Sequence, residues 1–169
     1  MDSSQIAVEG RSRKYLDFVL LIEDAAKNAD TGQRQIALQV LDSPAGESMS
    51  PQVVETANWD DMVTLSHKLA ERNITKEEFA TLSSSLGNWL LPDSGQSQSP
   101  SEHKGHSVRE LFFRCLKSLT SENEGVRLRL RIAPSLAWLP WEYASVSVAY
   151  GDGSKLERNL YLGLDPAIS

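Results

Sequence analysis

The chain has 169 residues, of which 40% are hydrophobic and 24% are charged, a balance typical of one globular domain with a buried core. Its net charge of −6 disfavours general nucleic-acid binding, which needs cationic surface to neutralise phosphates. No apolar run approaches the roughly 20 residues that span a bilayer, and the polar start does not resemble a signal peptide. We therefore expect a cytoplasmic protein that contacts neither membrane nor nucleic acid.

The first two predicted elements are strands that form an antiparallel hairpin. Residues 15–24 carry apolar side chains on both faces, which predicts a strand that is buried on two sides. Residues 34–41 alternate between apolar and polar side chains, and turn-forming residues separate the two segments. A turn from Ser43 through Pro44 to Gly46 ends the hairpin, because proline removes a ladder donor and glycine permits a sharp turn.

Three helices are predicted to follow the hairpin. Apolar side chains at helical spacing place the first helix at about residues 60–72. The next two helices begin with the spacing of a capping box, Thr75 with Glu78 and Ser107 with Glu110. Two polar segments are expected to lack regular structure: a disordered terminus and a loop that is rich in serine, glutamine and proline. These segments cover residues 1–13 and 93–105, and the folded domain is expected to span 14–169.

The last part of the chain begins with a strand whose two faces differ. Apolar side chains from Val126 to Ile132 alternate with Arg127, Arg129 and Arg131, which we name the arginine row. The simplest interpretation is a solvated face, or pairing with acidic residues on a neighbouring element. Contact with a protein partner or with phosphates remains an alternative.

A second alternation, at Leu160 and Leu162, predicts a short final strand. These two leucines are candidates for the same partner contact as the arginine row.

Few residues offer chemistry of their own. A single cysteine excludes an internal disulfide and a cysteine-rich zinc site, and we expect no cofactor and no metal. Cys115 with His103 and His106 suggests a nucleophile and a base, but Cys115 lies on the apolar stripe of the third helix and is predicted to be a core residue.

Two tryptophans in residues 133–142 form either an aromatic ligand wall or part of the core. Trp138 and Trp141 flank Pro140, and we predict that both indoles are structural. Glu142 follows directly and is predicted to be a hydrogen-bonded structural carboxylate, because a general acid would need a second titrating group nearby.

Five segments together resemble the front part of a bacterial CHAT-type domain, which has a caspase-like peptidase fold. They include the turn at Ser43-Pro44-Ala45-Gly46 and the element Pro140-Trp141-Glu142. The five segments cover residues 18–23, 40–47, 126–131, 136–143 and 160–164. Their order and spacing match the family's opening strand, its hairpin exit, a core strand, a corner and the strand that follows.

The resemblance implies an α/β fold in which a β-hairpin and a helical insertion precede strands of a caspase-like sheet. In that family the catalytic histidine and cysteine each follow a later core strand, and no residue here matches either motif. We therefore expect a fold that is incomplete without a C-terminal half, and a non-catalytic part of a cysteine peptidase. Family members are often associated with bacterial conflict and cell-death systems.

Strands of such a fold leave an open edge and an apolar face unless another segment covers them. The expected partner is a protein: the C-terminal half with the histidine and cysteine, a regulator, or a second copy of the chain. The alternative is a stand-alone interaction or regulatory module of the same fold without peptidase activity.

Overall fold

The computed structural model describes residues 14–92, 106–120, 124–149 and 157–161, with only the backbone described at 147–149 and 157–161. The segments predicted to lack regular structure, residues 1–13 and 93–105, lie outside the described residues, and so does Leu162.

The described residues form an α/β fold, as the sequence predicted. The strands are β1 Lys14–Ala25, β2 Gln35–Asp42, β3 Gln52–Glu55, β4 Glu124–Ile132, β5 Ser145–Ala149 and β6 Glu157–Tyr161. The helices are α1 Trp59–Ala70, α2 Lys76–Leu90 and α3 Val108–Lys117, with two 3₁₀ turns at Pro134–Leu136 and Trp141–Tyr143. The short strand β3 was not predicted, because four residues after a proline carry too little alternation to be recognised.

Four of the strands form a mixed sheet in the order β3-β2-β1-β4. The predicted hairpin is confirmed: β1 and β2 are antiparallel, with Leu20 opposite Val40. Strand β4 lies on the other side of β1 and runs parallel to it, with Leu20 opposite Leu130. The register of β1 and β2 shifts between Val19 and Leu20, which is a β-bulge. In this sheet β1 is therefore flanked on both sides, whereas β3 and β4 are its two ends.

The core lies between one face of the sheet and the helices. Side chains of even number on β1 point to this face, and Phe18, Leu20 and Ile22 are all fully buried there. The ring of Phe112 on α3 meets the ring of Phe18 edge to face, with 5.3 Å between centroids. On the opposite face Val19 is only 8% exposed, which confirms the predicted burial of β1 on both sides at this position.

The helix boundaries follow the predicted caps, with one difference. The Thr75 side chain accepts a hydrogen bond from the Glu78 N–H at 3.2 Å, and the Thr75 N–H donates to the Glu78 carboxylate at 2.9 Å, so this capping box is confirmed. The Ser107 side chain accepts from the Glu110 N–H at 3.2 Å, but the Glu110 carboxylate instead accepts a hydrogen bond from Arg114. Only half of the second predicted box is therefore formed. No helix in the described ranges has the length and apolar character that crossing a membrane requires.

Strands β5 and β6 form a separate antiparallel pair, in which Val146 lies opposite Leu160. The predicted final strand is present as β6, and within the described residues it pairs with β5 and not with the four-stranded sheet. Strand β5 packs on α2, where Gly87 lies against the backbone of Ser145. A Cβ atom at position 87 would lie 1.8 Å from the Ser145 carbonyl oxygen, so this contact requires glycine.

Candidate functional site: the open edge of strand β4

Strand β4 presents different chemistry on its two faces. Its even-numbered side chains point to the helix-covered face with those of Phe18, Leu20 and Ile22 on β1, because residues opposite each other in a ladder share a face. We name three of them, Leu128, Leu130 and Ile132, the aliphatic row. The arginine row occupies the opposite face.

Backbone groups on the far side of β4 have no strand partner among the described residues. The Ala133 N–H donates to the Ile22 carbonyl at 2.9 Å, so it points toward β1. Since N–H directions alternate along a strand, the N–H groups of the arginine row also point toward β1, and those of the aliphatic row point away from it. We name this far side the open edge.

Burial of the helix-covered face falls off across the sheet toward the open edge. Phe18, Leu20 and Ile22 on β1 are fully buried. The aliphatic row on β4 contacts the same core, but each of its three side chains is only partly buried. The apolar layer therefore reaches the edge of the sheet and stays in contact with solvent there.

The arginine row shares one carboxylate from the neighbouring strand. Arg127 Nε and Arg129 Nη2 each lie 3.2 Å from an oxygen of Asp17 on β1. Arg127 also lies over the ring of Tyr15, with its Cζ 5.5 Å from the ring centroid. Arg131 is exposed and has no ion pair within the described part of the chain. The predicted pairing with an acidic neighbour is confirmed for two of the three arginines.

The carboxylate of Asp17 has one oxygen that lacks a hydrogen bond. Asp17 Oδ1 is shielded from solvent and, although it lies near Arg127, it makes no aligned hydrogen bond. One carboxylate also cannot neutralise three guanidinium groups. The arginine row therefore carries more positive charge than its one ion-pair partner neutralises, on a chain whose total charge is −6.

A polar cluster lies where β1 and β4 end, which is the end of the strands that carries ligand sites in open α/β sheets. Asp24 at the end of β1 pairs with Arg34 and accepts a hydrogen bond from Ser135, just after β4. Partial desolvation raises the pKa of Asp24, but these two partners outweigh it and hold that pKa below its usual value. Asp24 is therefore a charged link between the two strand ends.

Aromatic rings extend this cluster toward solvent. Trp59 stacks on Trp89 with 5.7 Å between centroids, and Trp138 meets Trp59 edge to face at 6.0 Å. Trp138 is 44% exposed, and His67 stacks over it at 6.5 Å. The Arg34 guanidinium lies 4.0 Å from the centre of the Trp59 ring. Both tryptophans of the 133–142 segment were predicted to be core, which is wrong for Trp138.

An open cleft of about 550 Å³ lies beside Trp59. Its lining is mixed in charge: Lys27 and Arg34 come from the β1–β2 loop, and Asp60 and Asp61 come from the first turn of α1. Arg34 is already held by Asp24 and by the Trp59 ring. The cleft therefore shows no preference for one class of charged ligand.

The residues that might support local catalysis are not arranged for it. Cys115 is fully buried among apolar side chains on α3, which confirms the predicted core role. His106 lies at the surface, where its Nδ1 is 3.1 Å from the Glu110 carboxylate. Hydrogen bonding to His106 and the charge of Arg114 hold the pKa of Glu110 below its usual value. His103 lies outside the described residues, and the described ones contain no cluster of three or more metal-binding side chains.

The turn after β2 has the predicted form. The Gly46 N–H donates to the Ser43 carbonyl at 3.1 Å, and the Ser43 hydroxyl donates to the Gly46 carbonyl. Gly46 has a φ of 110°, a conformation that other residues rarely adopt, and Pro44 lies within the turn. Ser43, Pro44 and Gly46 therefore have a structural role in the turn.

The Pro140-Trp141-Glu142 element is a packed corner between β4 and β5. Trp141 is 4% exposed, and its indole N–H donates to the Leu136 carbonyl at 2.9 Å. Glu142 is exposed and makes no hydrogen bond within the described residues, so its predicted role as a hydrogen-bonded carboxylate is wrong. Within this corner Trp141 is therefore buried in the core, whereas Glu142 faces solvent.

Two predicted contact residues lie where the structure describes no side chain. Leu160 lies in β6, of which only the backbone is described, and Leu162 lies beyond it. Sequence reasoning missed Asp17, although a lone carboxylate inside an apolar strand was a usable signal. It also missed the cluster of Arg34, Trp59 and Trp138, because these side chains come from three separate segments.

Comparisons of the chain with protein-family models, with curated proteins and with solved structures found no match. The geometry of the open edge and the sequence resemblance are therefore the two indications of function.

Proposed function

We propose that this chain is the non-catalytic front part of a CHAT-type, caspase-like cysteine peptidase. Its role is to scaffold the sheet and to accept, at the open edge of β4, a strand of a partner chain that carries the catalytic histidine and cysteine. The observation that supports this best is the open edge of β4, which is bordered by the partly exposed aliphatic row.

The pairing of β1 with β4 favours a sheet that continues. Parallel strands occur mostly in sheets whose faces are covered by other segments, whereas Arg129 and Arg131 on β4 are exposed. Such an edge is a template for a further strand, because its outward N–H and C=O groups have no strand partner within the described part of the chain. The aliphatic row would be buried by side chains that accompany such a strand.

A scaffolding role also fits the chemistry of the described residues. A cysteine nucleophile must be reachable by substrate, whereas Cys115 lies in the core. The cluster at the strand ends joins β1 to β4 through Asp24 and Ser135, so it fixes the spacing of the two strands. Rigid support of this kind is what a catalytic group on the next strand would need.

A second candidate function is a stand-alone interaction module of the same fold. The exposed ring of Trp138 favours it, since a solvent-facing tryptophan beside another aromatic side chain is typical of protein contacts. The two functions differ in the partner, because only the first requires a histidine and a cysteine on the bound chain.

Replacing Leu130 by proline tests the edge. The Leu130 N–H points to the open side, so Leu130→Pro removes a donor to the partner and leaves the N–H groups that point to β1 in place. Leu130→Ala removes the same aliphatic contacts and keeps the donor. In affinity purification from the native cells, we expect wild type and Leu130→Ala to retain a partner with caspase-like histidine and cysteine elements, and Leu130→Pro to lose it.

A third variant checks the direction of the backbone groups. Arg129→Pro removes an N–H that points toward β1, and it should therefore destabilise the sheet itself, with a lower melting temperature than Leu130→Pro. The proposed function is contradicted if Leu130→Pro folds and still retains the partner. A retained partner without the histidine and cysteine elements would instead favour the interaction module.

A further inference from the structure

We infer that the strand which adds to β4 carries acidic side chains at alternate positions, facing the arginine row, and aliphatic side chains at the positions between them. This inference rests on the proposed function and specifies the chemistry of the partner. It follows from the two different faces of β4 and from the charge that the arginine row keeps.

The geometry of a sheet places the partner's side chains next to these arginines. A strand paired to β4 has side chains directly opposite those of β4, about 4.5–5.5 Å away at Cβ in an antiparallel pair. Arg129 is 52% exposed and Arg131 is also exposed, so both guanidinium groups have room to turn toward that strand. Carboxylates at every second position would match the spacing of the row.

The acidic side chains on β1 neutralise the arginine row only in part. Asp17 lies on the β1 side and is shared by Arg127 and Arg129. Glu23 lies on the same face of β1, but within the described residues it makes no ion pair with Arg131. No acidic side chain of β4 itself faces the row. Arg131, which has no ion pair within the described residues, and Arg127 and Arg129, which share one carboxylate, therefore remain for an incoming strand.

The same charge disfavours a second copy of this chain at the open edge. Two β4 strands paired edge to edge in an antiparallel sense would place their arginine rows on the same face, opposite each other. Like charges directly opposite on neighbouring strands are destabilising. Charged side chains on an edge strand are a common protection against such self-pairing. The arginine row thus selects a different, acidic strand.

Nucleic acid fits the row less well than an acidic strand. Phosphate binding depends on a broad cationic surface. Here the row is one strand wide, and Asp17, Glu23 and Asp42 lie on the same face of the sheet. Directional backbone pairing at the open edge also has no counterpart in a phosphate chain.

The test uses the full chain and three labelled nine-residue peptides that alternate valine with glutamate, glutamine or lysine. At low salt we expect fluorescence anisotropy to show that the glutamate peptide binds about ten-fold more tightly than the lysine peptide, with glutamine between them. This preference should shrink at high salt, because exposed charges are screened. Leu130→Pro should lose all three peptides.

Two double variants isolate the charge. R129K/R131K keeps the cations and should keep the preference for the glutamate peptide, whereas R129Q/R131Q should bind the glutamate and glutamine peptides equally. If wild type binds all three peptides equally, the acidic preference is overturned and strand addition stands. If wild type binds none of the three peptides, the acidic preference and strand addition at the open edge are both overturned. Tighter binding of a single-stranded 20-nucleotide DNA, with the same loss in R129Q/R131Q, would overturn the inference in favour of nucleic acid.

Discussion

Replacing Trp141 by alanine should lower the free energy of unfolding by about 3–5 kcal/mol, the range for removing a large aromatic side chain from a core. Trp141 is 4% exposed, and its N–H bonds the Leu136 carbonyl, so the variant loses both packing and a hydrogen bond. Because a domain is stable by only about 5–15 kcal/mol, this is a large fraction of the total. Urea unfolding followed by circular dichroism measures it.

Two neighbouring substitutions serve as controls for Trp141. Glu142→Ala removes an exposed side chain of the same element and should change stability by about 0.5 kcal/mol or less. Trp138→Ala removes an exposed ring that contacts Trp59 and His67, and should cost about 1 kcal/mol. If Glu142→Ala costs as much as Trp141→Ala, the element is more than a packed corner.

The second large effect is expected at Gly87. Gly87→Ala should lower the free energy of unfolding by about 2 kcal/mol or more, because overpacking costs about 1–3 kcal/mol even where neighbours can move. The new Cβ would lie 1.8 Å from the Ser145 carbonyl oxygen, and a backbone atom cannot move aside as a flexible side chain can. The better helix propensity of alanine, about 1 kcal/mol, offsets only part of this cost.

The control for Gly87 is its exposed neighbour on the same helix. Asn88→Ala should be neutral or slightly stabilising, since alanine is the better helix former and the side chain faces solvent. In Gly87→Ala, nuclear magnetic resonance shifts should change most in β5. A Gly87→Ala protein as stable as wild type, with β5 unperturbed, would mean that α2 and β5 are not in the described contact.

Local patterns predicted the elements whose signal lies within one segment. The strict alternation from Val126 to Ile132 identified β4, and the apolar run of 15–24 identified β1. Thr75 with Glu78 located the start of α2 correctly, because a capping box is a contact between residues three apart. The interior of the fold was thus largely predictable.

Features that depend on distant contacts were not predictable. The exposure of Trp138 depends on where Trp59 and His67 come to lie, and nothing in residues 133–142 encodes that. The pairing of β6 with β5 also depends on the position of β5 against α2. The sequence alone suggested neither.

The candidate site was predictable in part. The arginine row was visible as an alternation, and pairing with an acidic neighbour was the favoured interpretation. The identity of that neighbour, Asp17, required the parallel register of β1 and β4. The open edge could not be predicted either, because recognising it requires the order of the strands in the sheet. Local sequence patterns do not give that order.

Amide hydrogen exchange along β4 in the isolated chain, resolved by residue, tests the open edge most directly. We expect alternation: the N–H groups of the arginine row exchange slowly because they point to β1, and those of the aliphatic row exchange near the rate of unprotected amides. Leu20 and Leu21 on the enclosed strand β1 should both be protected. Equal protection of Leu130 and Arg129 would show that the edge is already paired and that β4 offers no open side to a partner.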